Sequence, residues 1–157
     1  MIINDRDLLK EIVDMLKKQN LKIVFTNGCF DIIHRGHVEY LNKAKKLGDV
    51  LIVGINSDKS IKKIKGEKRP IIPLHSRAYV LDNLKPVDFV VPFDEETPIE
   101  LINIIKPHIH VKGGDYREED LPEAKIVKSY GGKIEIIPLI EGFSTTKIIE
   151  WVLSKYK

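Results

Sequence analysis

The sequence predicts an α/β fold in which five parallel strands alternate with helices to form one doubly wound sheet. Short runs rich in β-branched residues alternate along the chain with segments of helical periodicity. The run from Val50 to Ile55 is apolar throughout, as expected for a parallel strand buried on both faces. The first short run, residues 22–26, ends in a glycine turn before a helical pattern. Together these features indicate βαβ units.

The composition indicates one folded domain over residues 1–157, with residues 1–20 as an N-terminal helical extension. Hydrophobic residues make up 43% of the chain and charged residues 31%, with a net charge of +3. Such a small, mixed charge argues against a dedicated nucleic-acid binder and against a membrane-surface protein. No apolar run approaches the ~18 residues of a membrane span. The single cysteine, Cys29, excludes an intrachain disulfide and favours a reducing cytoplasm.

The first half of the chain shows two helical stripes and two strands around a basic segment. Apolar residues recur at helical spacing from Leu8 to Leu16, and again after Gly36. We predict, in order, a helix over 4–19, a strand over 22–26, a helix over 36–47, a strand over 50–55, a basic loop with a short helix over 57–70, and a helix over 74–84.

Prolines and glycines mark the element boundaries of the second half. Thr97 is predicted to cap a helix in which Pro98 takes the first position. Gly131 and Gly132 are predicted to stop another helix. The predicted elements are a strand over 89–91 bounded by Pro86 and Pro92, a helix over 97–105, a strand over 109–112, a helix over 122–130, a strand over 134–137, and a helix over 145–155.

Right-handed crossovers between these strands are expected to give a Rossmann-like sheet of order 3-2-1-4-5, with helices on both faces. In such a sheet, strands 1 and 4 are neighbours where the order reverses, and ligands bind beyond their carboxyl ends. The loops that leave these strands are residues 27–37 and 112–116. Both loops are polar and rich in glycine, so topology and composition indicate the same crevice.

The most informative segment, residues 26–37, places His34 and His37 on either side of Gly36 at a helix start. A strand, a glycine turn and polar donors at a helix start form a phosphate site in many α/β proteins. Histidines three residues apart lie on the same helix face, so both are expected to donate to one triphosphate. The alternative is that they only cap or pack the helix. A zinc pair is disfavoured because no third ligand lies at suitable spacing.

The chain resembles the nucleotidyltransferase superfamily that carries the HxGH signature. The match begins with Asn27-Gly28-Cys29-Phe30-Asp31 and His34-Arg35-Gly36-His37. It is most similar to the cytidylyltransferase-like adenylyltransferase domain of ADP-heptose synthesis, which acts on D-glycero-D-manno-heptose 1-phosphate. Four further segments match in order: Asn56-Ser57-Asp58, Lys65-Gly66-Glu67-Lys68-Arg69-Pro70, Val111-Lys112-Gly113-Gly114-Asp115-Tyr116, and Ser144-Thr145-Thr146-Lys147-Ile148-Ile149.

The resemblance implies a role for each matching residue. The catalytic set is His34, His37, Lys65 and Arg69. The nucleotide-binding set is Asn27, Gly28, Cys29, Phe30, Gly36, Asn56, Lys112, Gly113, Gly114, Asp115, Ser144, Thr145 and Thr146. Asp31 and Arg77 are assigned to the substrate. The partners are ATP with Mg²⁺ and a sugar phosphate that another chain supplies. No protein metal site is expected, and a homodimer is allowed.

Several of these residues have a second interpretation. Asp31 either places the sugar phosphate or a metal, or only caps the turn. Arg77 serves either the phosphate site or a subunit contact. Gly113-Gly114 is either a close approach to the nucleotide or a plain turn, and Ser144 is either a phosphate ligand or an ordinary N-cap. Within the basic run, Lys62 and Lys63 are interpreted as a solvated face.

A phosphate monoester is ionised near pH 7 because its second pKa is about 6. As a nucleophile it needs no general base, so positioning and charge neutralisation are the remaining tasks. The motifs supply donors and cations for both tasks. Two alternatives stay open: a cytidylyl- or guanylyltransferase acting on another phosphorylated sugar or alcohol, such as glycerol 3-phosphate, and a nucleotide-binding regulatory module without turnover.

Overall fold

The computed structural model describes all 157 residues, and its five strands form one parallel sheet of order β3-β2-β1-β4-β5. This confirms the predicted topology. In the register, Val24 of the central strand lies opposite Leu51 on one side and Ile109 on the other. The strands are β1 Ile23–Gly28, β2 Val50–Asn56, β3 Phe89–Phe93, β4 Ile109–Gly113 and β5 Lys133–Ile137.

Helices cover both faces of the sheet, as predicted. They are α1 Arg6–Lys18, α2 Arg35–Lys45, α3 Asp58–Lys65, α4 Leu74–Asp82, α5 Ile99–Ile105, α6 Ala124–Ser129 and α7 Thr145–Lys155, with a short 3₁₀ turn at Glu118–Asp120. Two core clusters of 14 buried residues each lie on opposite faces, one under α1, α5 and α6 and the other under α2 and α4. None of the helices combines the length and the apolar character that a membrane crossing requires.

The first 20 residues pack against the rest of the chain. The α1 side chains Leu9, Ile12 and Val13 are buried in one of the two core clusters. Ahead of α1, Ile2 bridges to Val90 of β3. The Ile3 N–H donates to the Val90 carbonyl at 2.8 Å. The N-terminal segment therefore covers part of the sheet edge, which would otherwise present unpaired backbone groups.

Several predicted boundaries differ from the structure by one or two residues, and two of these differences involve proline. β3 continues through Pro92 to Phe93. The Val90 N–H points outward to Met1, so the missing N–H of Pro92, two residues on, falls on the same outer edge of the sheet, where proline is tolerated. The second error is the start of α5. Pro98, not Thr97, occupies the N-cap position, and its carbonyl accepts from the Ile102 N–H at 2.9 Å.

Candidate active site

A cavity of about 380 Å³ opens at the carboxyl ends of β1 and β4, where the strand order reverses. All four residues predicted to be catalytic line it, together with most of the predicted nucleotide-binding set. The lining residues are Asn27, Gly28, Cys29, Phe30, Asp31, His34, Gly36, His37, Tyr40, Lys65, Arg69, Lys112, Gly113, Leu139, Ile140, Phe143, Ser144, Thr145 and Thr146. Asn56, Arg77, Gly114 and Asp115 do not line this cavity.

The two histidines lie at the start of α2, and each ring accepts a hydrogen bond from a backbone N–H of this first turn. His34 occupies the N-cap position, and its Nδ1 accepts from the Gly36 N–H at 3.1 Å. His37 Nδ1 accepts in turn from the His34 N–H at 3.2 Å. The ring centroids lie 3.9 Å apart. The capping function that the sequence left as an alternative is thus present, but it uses only one nitrogen of each ring.

These contacts determine the proton positions on both rings. A ring nitrogen that accepts a hydrogen bond carries no proton, so the neutral tautomer places the N–H on Nε2. Burial lowers the pKa of His34. Burial lowers the pKa of His37 to about 4, helped by the unfavourable interaction of a second ring charge with His34 and by the positive charge of Lys65. Near pH 7 both side chains are therefore neutral Nε2–H donors.

Glycine at position 36 gives the His34 ring its space. A Cβ at this position would lie 2.9 Å from His34 Cε1 and 3.3 Å from the Phe143 Cβ. The first contact is shorter than real Cβ atoms show, so any side chain here would displace the imidazole. Gly36 therefore serves the ring position as well as the approach of a ligand to the backbone.

Asp31 anchors the segment that carries Arg69. Its carboxylate accepts from Arg69 Nε at 2.8 Å and from the N–H groups of Ile71 and Ile72 at 2.9 to 3.0 Å. Burial raises the pKa of Asp31, but these donors outweigh burial and leave the pKa below its usual value. Asp31 binds Arg69 through Nε, and the two terminal guanidinium nitrogens of Arg69 form no hydrogen bond within the protein.

Arg77 connects four segments beneath the cavity. Only 1% of the residue is exposed, which leaves no surface for the subunit contact considered from the sequence. It donates to the carbonyls of Ile72, Cys29 and Asn56 and to Asp58 Oδ1. The Asn56 side chain is also buried, and its Nδ2 donates to Ser60 Oγ. Both side chains form hydrogen bonds that connect the segments around the cavity. The roles of Asn56 in nucleotide binding and of Arg77 in substrate binding stay predictions.

Four lining residues were missed by the sequence analysis: Tyr40, Leu139, Ile140 and Phe143. Tyr40 had a usable signal, because it lies one helical turn after His37 on the same face. Burial raises the pKa of Tyr40 well above its usual range, and its hydroxyl lies 2.5 Å from Thr26 Oγ1. The Phe143 ring stacks on His34 with centroids 6.2 Å apart. No motif identifies Leu139 and Ile140, which follow β5.

One polar atom in the cavity lining has no partner within the protein. The Asn27 Oδ1 atom is buried and has no hydrogen-bond partner, so a ligand donor would satisfy it. No cluster of three or more His, Cys, Asp or Glu side chains has the arrangement of a metal site. Burial raises the pKa of the Cys29 thiol, despite the opposing charges of Lys65, Arg77 and Arg69. The thiol is therefore neutral and a poor nucleophile near pH 7.

This sheet, with neutral histidine donors at a helix start beside its reversal point, defines an α/β nucleotidyltransferase. The chain belongs to the cytidylyltransferase-like family, whose model matches residues 25–151. It is 51% identical over 154 residues to the bifunctional protein HldE of Pelobacter propionicus. It is 56% identical over 146 residues to the bifunctional protein HldE of Campylobacter jejuni subsp. doylei. These matches cover 98% and 93% of the chain but 32% and 31% of the relatives, so the chain spans about a third of their length.

Two solved structures share the fold. The lipopolysaccharide core biosynthesis protein from Thermoplasma volcanium is 30% identical, with a TM-score of 0.63, over 76% of this chain and 97% of that one. Pantoate-beta-alanine ligase from Francisella tularensis, solved with beta-gamma ATP and beta-alanine, has a TM-score of 0.64 at 18% identity. It covers 95% of this chain and 75% of its own length, and this second likeness concerns the fold alone.

Proposed function

We propose that the chain transfers AMP from ATP to D-glycero-D-manno-heptose 1-phosphate, releasing pyrophosphate and forming ADP-heptose. The observation that carries this proposal is the pair of Nε2–H donors at the start of α2, beside Lys65 and Arg69 in one cavity. The resemblance of the five motifs to the adenylyltransferase of ADP-heptose synthesis supports the choice of substrates. The high identity to two bifunctional HldE proteins supports it further.

In the proposed reaction an oxygen of the sugar phosphate attacks the α-phosphorus of ATP, and the bond to the leaving pyrophosphate breaks. The attacking group is already an anion, so no side chain has to remove a proton. Negative charge builds on the α-phosphate oxygens in the transition state. Donors placed before the reaction stabilise that charge, and we assign this task to Nε2–H of His34 and of His37.

The cations and hydroxyls of the cavity suit the rest of the triphosphate. Ser144 caps α7 by accepting from the Lys147 N–H at 3.0 Å. We propose that the first turn of α7, with the hydroxyls of Thr145 and Thr146, binds the β- and γ-phosphates. Lys65 and Arg69 would neutralise the leaving pyrophosphate. The free terminal nitrogens of Arg69 are available for this contact because Asp31 occupies only Nε.

We propose that Mg²⁺ enters as part of the ATP complex. Asp31 is the only carboxylate that lines the cavity, and its oxygens already accept hydrogen bonds from three residues. This donor set does not form a protein cage. It agrees with the preference of Mg²⁺ for substrate phosphates and water.

We also propose that the enzyme is cytoplasmic and does not bind nucleic acid. The single cysteine and the small net charge support these two statements. The homodimer that the resemblance allows stays a prediction, which sedimentation of the purified chain tests.

The test is a matrix of four nucleoside triphosphates against heptose 1-phosphate, other sugar 1-phosphates and glycerol 3-phosphate, followed by pyrophosphate release. We expect the highest kcat/KM for ATP with heptose 1-phosphate. Lys65→Met should lower turnover strongly, whereas Lys62→Met, on the exposed face of the same helix, should not. A preference for CTP with glycerol 3-phosphate contradicts the proposal, and so does an absence of turnover.

A further inference from the structure

A buried carboxylate outside the proposed catalytic set lies behind the cavity. Glu123 occupies the N-cap position of α6 and is 1% exposed. Its Oε1 atom lies 3.0 Å from His110 Nε2 and 3.5 Å from Lys112 Nζ. A buried charge is costly unless it is paired and hydrogen-bonded. Both partners come from β4, two residues apart and therefore on the same face of the sheet.

The two partners of Glu123 have different access to the cavity. His110 is fully buried, its ring stacks on Phe25 at a centroid distance of 5.6 Å, and its Nδ1 has no hydrogen-bond partner. It does not line the cavity. Lys112 does line it, and 21% of its side chain is exposed. The influence of Glu123 on a ligand can therefore pass through the Lys112 ammonium.

We propose that Glu123 is a positioning residue, which holds the Lys112 ammonium at the cavity wall in the place where it contacts the bound nucleotide. This inference rests on the proposed function, because it assumes that a nucleotide occupies the cavity. The Tyr116 ring, with its centroid 5.7 Å from Lys112 Nζ, limits the ammonium on a second side.

The energetic reason is preorganisation. A free lysine side chain has many rotamers, and ordering it on a ligand weakens binding. Glu123 restricts that freedom before the nucleotide arrives. At a separation of 3.5 Å, the ammonium keeps donors available for a ligand oxygen. Burial raises the pKa of Glu123, but the hydrogen bond to His110 and the charge of Lys112 more than offset burial and hold the pKa at about 2. The carboxylate is thus charged near neutral pH, where the nucleotide would bind.

A double-mutant cycle tests the proposal. Glu123→Gln keeps the size of the side chain and an oxygen that accepts from His110, but it removes the charge that faces Lys112. Lys112→Met removes the ammonium. The nucleotide Kd is measured by calorimetry without sugar phosphate, for wild type, both single variants and the double variant. Thermal melting of all four proteins reports any structural effect separately.

If Glu123 acts through Lys112, Lys112→Met should raise Kd about tenfold and Glu123→Gln about threefold to tenfold. The double variant should then bind no more weakly than Lys112→Met alone. In steady state, Glu123→Gln should raise the KM for the nucleotide with little change in kcat. Multiplied losses in the double variant, or a Kd unchanged by Glu123→Gln, overturn the proposal.

The cycle uses whichever of the four nucleoside triphosphates the wild type binds most tightly. Tightest binding of CTP would contradict the proposed ATP-dependent function, and the cycle would still decide the role of Glu123. A wild type that binds none of the four overturns both proposals.

Discussion

His34 and His37 cap the start of α2 reciprocally: His37 Nδ1 accepts from the His34 N–H at 3.2 Å, and the two rings lie 3.9 Å apart. The arrangement directs one nitrogen of each ring to the backbone and leaves the other for a ligand. Two cations could not lie this close without strong repulsion, and burial keeps both rings neutral. The histidines are thus suited to donate hydrogen bonds, and neither is suited to attract the triphosphate by charge.

Replacing His37 with alanine should affect turnover more than binding. We expect kcat to fall by roughly 10² to 10³, the scale for the loss of one transition-state donor. ATP affinity should change much less, because a neutral donor contributes little to the ground state. The measurement is kcat by pyrophosphate release beside Kd for ATP. His75→Ala, at an exposed position, is the control, and equal losses in kcat and in affinity would make His37 a ground-state ligand.

Gly36→Ala should displace the His34 ring, because the new Cβ would lie 2.9 Å from His34 Cε1. A misplacement of this kind lowers turnover by about 10²-fold. Stability should change little, because alanine favours a helix more than glycine does. Turnover and thermal melting are measured together. A variant with wild-type turnover would show that the ring position is unimportant.

The pH dependence of turnover should come from the substrate. With the pKa of His37 near 4, protonation of His37 does not contribute between pH ~6 and 9. Turnover should rise once, near the phosphate pKa of about 6, and then level off. An analogue with a lower phosphate pKa should move the inflection down. If the inflection stays in place with the analogue but disappears in His34→Gln or Asp31→Asn, an enzyme group takes the proton.

Sequence patterns predicted the sheet because each strand carries its own signal. The uninterrupted apolar run of β2 is typical of a strand buried on both faces. The signal for β1 was the short apolar run over residues 22–26, although the strand continues through the glycine to Gly28. The boundaries at Pro92 and Pro98 were wrong for a tertiary reason. Pro92 is tolerated because β3 lies at the edge of the sheet. The position of Pro98 depends on which carbonyl accepts the first hydrogen bond of α5. The local sequence determines neither of these.

Part of the cavity lining was predictable, and part depends on long-range packing. The residues of the β1–α2 loop were predictable from local geometry. The buried positions of Arg77 and Asn56 were not, because their partners come from segments distant in sequence. Glu123 was also missed. Its contacts form only when α6 packs behind β4 and brings the carboxylate to His110 and Lys112.

The basic segment from Ile61 to Pro70, which includes the end of α3 and the residues after it, is predicted to order over the triphosphate. Asp31 holds its far end, so the segment free to move is the short stretch after α3 that contains Gly66, whose φ is +94°. Protease cleavage after Lys65, mapped by mass spectrometry, should slow when ATP or an unreactive analogue is added. Asp31→Asn should speed cleavage without ligand. A cleavage rate that ATP leaves unchanged would indicate only a solvated basic loop.

Glu123 should contribute to stability above pH ~5 and lose that contribution in acid. Its pKa is lowered from 4.5 to about 2 in the fold, so the unfolded chain binds more protons between these values and stability rises with pH there. The free energy of unfolding is compared for wild type and Glu123→Gln by urea denaturation. We expect the wild-type advantage to shrink as pH falls from about 5 toward 2. A constant difference would mean that the carboxylate is not held in its ionised form.

The proposed reaction moves the AMP group of ATP onto the sugar phosphate, and the position of an isotope label shows whether this transfer occurs. ATP radiolabelled at its α-phosphate is incubated with D-glycero-D-manno-heptose 1-phosphate, Mg²⁺ and the chain, and the products are separated. We expect the label to move into a sugar nucleotide with the mass of ADP-heptose, while the pyrophosphate carries none. Label that stays in ATP, or that appears only in free AMP or ADP, would contradict the proposed transfer.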